Sequence, residues 1–352
     1  MSRNMKKYVI VTEMNLNDPN RGTAALGYGA MSFLKERNLL SSDHILLHIP
    51  TPIFPWKYED KLEVVNIQGA KYKIQTCYIF KPIFDLYIKC GILLPFTKLK
   101  KIIKQIDLVA AINGGDGFSD IYNSSTFHWR LRETLMANRA NIPVVILPQT
   151  IGPFYCIKNY NIAKSILKSA KFVFVRDAKF VDELDKMEVR YELTKDLSAY
   201  MMPEKWDIDI RQNSIGLNVS GLCYSNSFRS LSGQFECYPL LINAIIQRFQ
   251  DTGLNVYLID MDLLSPQIKY VISKMSFFCG TRMHANFAAI YTGVPLFGLA
   301  YSYKFEGAFD ANGLNGKEQT TTINNICFND IPSIVDKIEQ VYIKLTNNSE
   351  DL

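Results

Sequence analysis

Short apolar runs alternate with longer helical stretches along the whole chain, a pattern that predicts parallel β-sheets covered by helices on both faces. In the first half, strands are expected at Tyr8–Val11, His44–His48, Leu108–Ile112, Val144–Leu147 and Phe172–Val175. A second series follows at Ile215–Val219, Val256–Ile259, Phe277–Cys279 and Pro295–Leu299. The polar, Pro-containing stretch Met202–Asn213 between them predicts a joint, giving domains 1–208 and 209–352. The fold class expected is α/β, with two parallel sheets facing a cleft. The pattern does not place the last helix, Pro332–Leu345, which could pack back on the first domain.

A length of 352 residues agrees with two domains at roughly 100 to 200 residues each, and 48% hydrophobic residues suffice for two cores. The net charge of +5 is modest and Lys and Arg occur all along the chain, which favours anionic small molecules over nucleic acid. Seven scattered cysteines show no metal-ligand spacing and fit a reducing, cytoplasmic setting. The basic start Met1–Lys7 leads into a strand and not into an apolar signal core, so export is not expected. Lys81, Pro82, Asp85 and Lys89 interrupt the apolar stretch Ile79–Phe96 too often for a bilayer span. With Lys98, Lys100, Lys101 and Lys104 beyond it, this stretch is instead a candidate for peripheral contact with the inner face of a membrane, a solvated helix face being the simpler reading. Sequons at Asn123, Asn218 and Asn347 carry little weight without a secretion signal.

The candidate chemistry gathers where strands end. The run Phe277 to Ile290 reads as a buried strand turning into a helix that begins with Arg282 and His284. Free backbone N–H groups and the helix dipole favour an anion there; Gly280 and Thr281 would let it approach, Arg282 offers a fork of donors, and His284 can move a proton near neutral pH. Gly22, in Arg21-Gly22-Thr23, opens an early helix and could admit a sugar or phosphate. Asn113-Gly114-Gly115-Asp116-Gly117 follows a buried strand, so Gly114 and Gly115 could bring backbone to a ligand while Asp116 orients or deprotonates a hydroxyl. Alternatively Asp116 or Asp120 caps the next helix. Gln149 and Thr150, between Pro148 and Pro153, are uncharged groups suited to polyols, or parts of a stiff connection. Arg176 ends an apolar strand beside Asp177, and Lys304 follows the strand next to the Arg282 helix.

Taken in order, these pieces resemble the polysaccharide pyruvyl transferase family. The matching elements are Asn20 to Leu26, Gly114 to Gly117, Leu147 to Phe154, Val175-Arg176-Asp177, Gly280 to Ala285 and Tyr301 to Gly307, spread from residue 20 to about residue 314. The resemblance implies two Rossmann-like, glycosyltransferase-B-like domains, the first on the acceptor side and the second on the donor side. It also implies transfer of a pyruvyl group from phosphoenolpyruvate to sugar hydroxyls, with Arg176, Arg282 and His284 meeting the donor. Between Ile259 and Ser276 the chain is shorter than the family pattern and lacks its histidine.

The implied reaction needs no cofactor beyond phosphoenolpyruvate as donor substrate. The acceptor is a saccharide, either a polymer or a lipid-linked precursor. Lys304 would join the two arginines on the donor's anions, His284 would serve as acid or phosphate partner, and Asp116 as base on the acceptor. Two other classes fit the same elements: a nucleotide-sugar glycosyltransferase, distinguished by the mass it transfers, and a non-catalytic sugar-binding relative, distinguished by failure of phosphoenolpyruvate to stabilise the fold.

Overall fold

The computed structural model describes residues 7–227, 231–259, 262–302 and 304–347. They form two compact units, Met1–Asp18 with Leu26–Met201, and Pro19–Ala25 with Met202–Leu352. The first turn of the helix Arg21–Glu36 thus groups with the second unit, an assignment that no strand pattern conveys.

The first unit is built on eight strands: β1 Lys7–Val11, β2 His44–His48, β3 Lys61–Ile67, β4 Ala70–Thr76, β5 Ile106–Ala111, β6 Val144–Gln149, β7 Phe172–Val175 and β8 Glu192–Leu193. Their order is β3-β4-β2-β1-β5-β6-β7-β8. All neighbours are parallel except β3 and β4. That pair corrects the expectation of a purely parallel sheet. Gln68 and Gly69 both take positive φ, 50° and 80°, the conformation a tight two-residue hairpin requires. The central strands are apolar because both of their faces are covered, whereas β3 is exposed along most of its length and carries Lys61, Glu63 and Asn66. An edge strand of this composition leaves little apolar signal.

The second unit holds five parallel strands, β9 Ser214–Asn218, β10 Asn255–Leu258, β11 Phe277–Gly280, β12 Leu296–Ala300 and β13 Thr320–Thr322, ordered β10-β9-β11-β12-β13. Successive side chains point to opposite faces, so Phe277 and Cys279 enter one core while Phe278 enters the other. The helices Tyr238–Asp251 and Ile331–Asn347 cover the first face; Ser265–Ile272, Met283–Ile290 and Lys304–Asp310 cover the second. Ile331, Ile334, Val335, Ile338 and Val341 of the last helix lie in the core of the second unit itself. Its three-and-four spacing is satisfied within that core.

The stretch Ile79–Phe96 yields only the helix Lys81–Cys90, stopped by Gly91 in the left-handed conformation. Among the described residues no helix is long and apolar enough to cross a membrane. Asp260, Met261 and Tyr303, which belong to stretches singled out in the sequence, lie outside the described residues, as does the end of the Asn347 sequon.

Candidate active site

In the first unit, chemistry collects beyond the carboxyl ends of β1, β5, β6 and β7. The turn after β5 holds Asn113, Gly114 and Gly115 at φ of 49°, 60° and 83°. What these glycines accommodate is the chain's own arginines. An added Cβ would stand 1.8 Å from Arg130 Nη1 at Gly117, 2.8 Å from the same atom at Gly114, and 3.0 Å from Arg176 Nη1 at Gly115. The left-handed turn is thus packed by Arg130 and Arg176 on the side where a Cβ would stand.

Arg130 was missed in the sequence, because it sits at the end of a short helix, Ser124–Arg130, and in no recognisable motif. It donates to Asn113 O at 2.9 Å, and lies 3.8 Å from Asp116 Oδ1 and 3.9 Å from Glu13 Oε2. Its guanidinium stands over the Tyr122 ring, 5.6 Å from the centroid. Tyr122 in turn donates its hydroxyl to Asp116 Oδ2 at 2.8 Å. Burial, then the Asp116 charge, push the Tyr122 phenol up to about 12, so it remains a donor at neutral pH. Asp116 therefore belongs to a polar cluster and does not cap a helix. Asp120 does not cap the next helix either: Asn123 does, accepting from Thr126 N at 2.7 Å, while Asp120 ties down the backbone N–H groups of Tyr155 and Cys156.

Glu13, just past β1, was also missed. It takes a φ of 53°, uncommon for a residue with a side chain, and its Oε1 is buried with no hydrogen-bond partner among the described residues. Burial pushes this carboxyl up to about 7; Arg130 opposes the rise, and Glu133 and Asp116 add to it. A carboxyl poised there can give or take a proton near neutral pH. The available signal was a charged residue directly after an apolar strand, the same signal that drew attention to Arg176.

Arg176 is already matched inside the fold. It donates from Nη1 to Asp196 Oδ2 at 2.8 Å and from Nε to Thr150 Oγ1 at 3.0 Å, with Asp177 Oδ2 at 3.5 Å. Burial works against its charge, but Asp196, Asp177 and Asp116 outweigh that and raise its pKa. Two carboxylates already offset its charge, and it positions Thr150 and Asp177 within the first unit. Thr150 is drawn into the same network by donating to Asp177 Oδ2. Gln149 is wholly buried and ties strands together through Ala111 O and Leu147 O at 2.9 and 3.1 Å, so it does not present itself to a polyol.

In the second unit, β11 delivers the chain into the helix Met283–Ile290 with Arg282 as its N-cap. Asn218 at the end of β9 fixes the junction: its side-chain oxygen accepts from Arg282 N at 3.2 Å and its carbonyl from Thr281 N at 3.1 Å. Asn218 is wholly buried, so its sequon is structural. Thr281 is buried too, its hydroxyl 2.6 Å from Tyr238 Oη. A Cβ on Gly280 would lie 2.5 Å from Asn286 Oδ1, and Asn286 donates back to Gly280 O at 3.0 Å. Gly280 and Thr281 thus shape the turn from within.

Arg282 and His284 remain half-buried at the helix start. Arg282 Nε is buried without a hydrogen-bond partner among the described residues, an arrangement costly in a finished core and natural where an anion docks. Gly22 packs directly on His284: a Cβ there would stand 2.4 Å from Nδ1. The segment after β10, though short, holds this corner. Ser265 Oγ donates to Arg21 O at 2.8 Å, and Arg21 Nη2 donates to Asp262 O at 3.0 Å. Lys304 is exposed at the start of the helix following β12, and β12 pairs with β11 through Gly298 and Gly280.

All of these residues except Glu13 and Lys304 sit within a stretch that a family model describes. The model for polysaccharide pyruvyl transferase matches residues 20–303, most of the chain. The chain belongs to the polysaccharide pyruvyl transferase family. No curated protein matches it. Among solved structures it is similar to a putative UDP-N-acetylglucosamine 2-epimerase from Listeria monocytogenes, at 12% identity and a TM-score of 0.55 over 97% of this chain and 91% of that one. It is similar also to an uncharacterised protein from Klebsiella pneumoniae, at 14% identity and a TM-score of 0.42 over 90% and 92%. HepE from Anabaena, in complex with UDP and glucose, gives 11% and 0.44 over 98% and 95%. The Listeria likeness shows the fold this family member shares, a glycosyltransferase-B-like pair of α/β domains, and nothing of its substrate.

Proposed function

We propose that this family member transfers a pyruvyl group from phosphoenolpyruvate to two hydroxyls of a saccharide, forming a pyruvate ketal and releasing phosphate. The observation that carries the reading is Arg282, its buried Nε lacking a partner among the described residues, beside His284 at the start of one helix. A small dianion with a carboxylate and a phosphate suits that fork and the helix's unsatisfied N–H groups.

The bonds balance as follows. A proton adds to the methylene carbon of phosphoenolpyruvate while one sugar oxygen bonds to the neighbouring carbon and loses its own proton. The carbon–oxygen bond to phosphate then breaks, and a second sugar oxygen takes the vacated position, its proton passing to the departing phosphate. His284 supplies the proton or meets the departing phosphate, and Arg282, with Lys304, holds the donor's charge. In the first unit the Asp116–Arg130–Glu13 cluster holds the groups able to accept a hydroxyl proton.

Thermal unfolding with phosphoenolpyruvate, against a panel of nucleotide sugars, tests the reading. A ligand bound only by the native state raises the apparent Tm. Stabilisation by phosphoenolpyruvate, lost in Arg282→Ala, is expected; stabilisation by a nucleotide sugar alone would replace the proposal with glycosyl transfer.

A further inference from the structure

One part of the first unit is dressed for a different environment. Residues 53–104 contain ten lysines against four acidic residues, a surplus of six that exceeds the +5 of the entire chain. Asp60, Glu63 and Asp85 are each matched within the segment, by Lys98, Lys61 and Lys81. The seven lysines outside those pairs, Lys57, Lys71, Lys73, Lys89, Lys100, Lys101 and Lys104, leave the surface strongly positive.

Large apolar side chains stand exposed among them. Trp56 is 70% exposed and Phe96 95% exposed, with Phe54, Tyr58, Ile92 and Leu94 also exposed. Contacts join the loops that carry them into one patch. Phe54 meets Trp56 at 5.4 Å, Trp56 meets Phe80 at 6.1 Å, and Tyr58 stacks on Tyr78 at 4.8 Å. Lys98, two residues beyond Phe96, reaches Asp60 at 2.8 Å and the Tyr78 carbonyl at 3.2 Å. Phe96 adopts a φ of 60°, a left-handed conformation that is an outlier for a bulky residue, and it does so with its ring in solvent. An aromatic cluster and isolated apolar tips on a lysine-rich segment, with Lys57 over Phe54 and Lys98 beside Tyr78, match an anionic bilayer: rings for the headgroup boundary, ammonium groups for the surface charge.

We propose that this face docks the protein on an anionic lipid bilayer, with Trp56 and Phe96 entering the interface and the surrounding lysines holding the headgroups. The proposal stands apart from the donor chemistry, since it rests on this patch alone. Its location nevertheless suits an acceptor carried on lipid: the loops after β2 and β4 leave the same sheet edge as the turn bearing Asp116.

Co-sedimentation of the full-length protein with phosphatidylcholine vesicles, with and without about 30 mol% phosphatidylglycerol, tests it. Partition is expected on the anionic vesicles only, falling about tenfold at roughly 0.5 M salt and in the Trp56→Ser, Phe96→Ser double variant. A Lys100→Glu, Lys101→Glu variant should lose partition while unfolding at the same temperature. In a Trp129→Phe, Trp206→Phe background, Trp56 emission should shift to the blue on anionic vesicles and be quenched by brominated lipid. Absence of partition, equal partition on neutral vesicles, or Trp56 emission unmoved by bound vesicles would overturn the proposal. So would self-association in the ultracentrifuge that the double variant abolishes, because a second copy would then be the occupant.

Discussion

Gly22 lies so close to His284 that a single added methyl group would stand 2.4 Å from the imidazole Nδ1. More than 250 positions apart in sequence, the two are brought together because the first turn of the helix Arg21–Glu36 groups with the second unit. The hydrogens of glycine leave room for the ring at this distance. Gly22→Ala must move the imidazole. We expect turnover to fall by about tenfold or more, roughly 1.4 kcal/mol in barrier, with the unfolding temperature little changed. Steady-state kinetics alongside thermal unfolding check this, and a fall in stability with turnover intact would show that the contact is only packing.

Arg282 offers a planar fork that a lysine cannot copy. Arg282→Lys keeps the positive charge, so the expected result is a higher KM for phosphoenolpyruvate, by about tenfold, and a smaller loss in kcat. Equal KM values for the two proteins would place the donor's anions elsewhere.

Asp196 is the deeper of the two carboxylates that hold Arg176, and it also accepts from Ser198 N and Oγ at 2.8 and 2.6 Å. Removing it leaves a buried guanidinium short of a partner, a change that typically costs about 3 to 5 kcal/mol. Urea unfolding of Asp196→Ala should show a loss of that order. Arg176→Met leaves the Asp196 carboxylate buried without its cation, so it should also lose stability, moderated by the Ser198 N and Oγ donors that Asp196 keeps.

Glu13 ties stability to pH. Its folded pKa, pushed up to about 7 from the ordinary 4.5, means that the native state holds this proton more tightly than the unfolded chain. The contribution is therefore fully present below pH 4.5 and is lost as pH rises through about 7. Glu13→Gln cannot ionise, so it should match the parent near pH 4 and exceed it at pH 8, by about 3 kcal/mol at most. Chemical unfolding of both proteins across this range decides it; parallel pH profiles would mean that Glu13 ionises normally.

Much of the architecture could be read from the chain because buried parallel strands are apolar on both faces: β1, β6 and β11 stand out against their flanks. β3 and β4 did not, since a solvent-facing hairpin rich in lysine carries no such run. The Arg282–His284 junction was legible for a related reason, as polar groups opening an otherwise apolar helix are conspicuous. The glycines have a packing reason that their neighbourhoods do not reveal. Gly114, Gly115 and Gly280 are small because Arg130, Arg176 and Asn286 fill the space beside them, partners far enough off in sequence or plain enough in type to leave no local trace. Glu13 and Arg130 went unseen because their significance comes from being buried together, a property of the fold and not of either neighbourhood.

The most direct test of the central claim is the mass of the acceptor saccharide after incubation with phosphoenolpyruvate, read together with released phosphate. The account predicts a pyruvate-sized gain matched mole for mole by phosphate, both abolished in His284→Ala. A hexose-sized gain that requires a nucleotide sugar, or full phosphate release by His284→Ala, would contradict it.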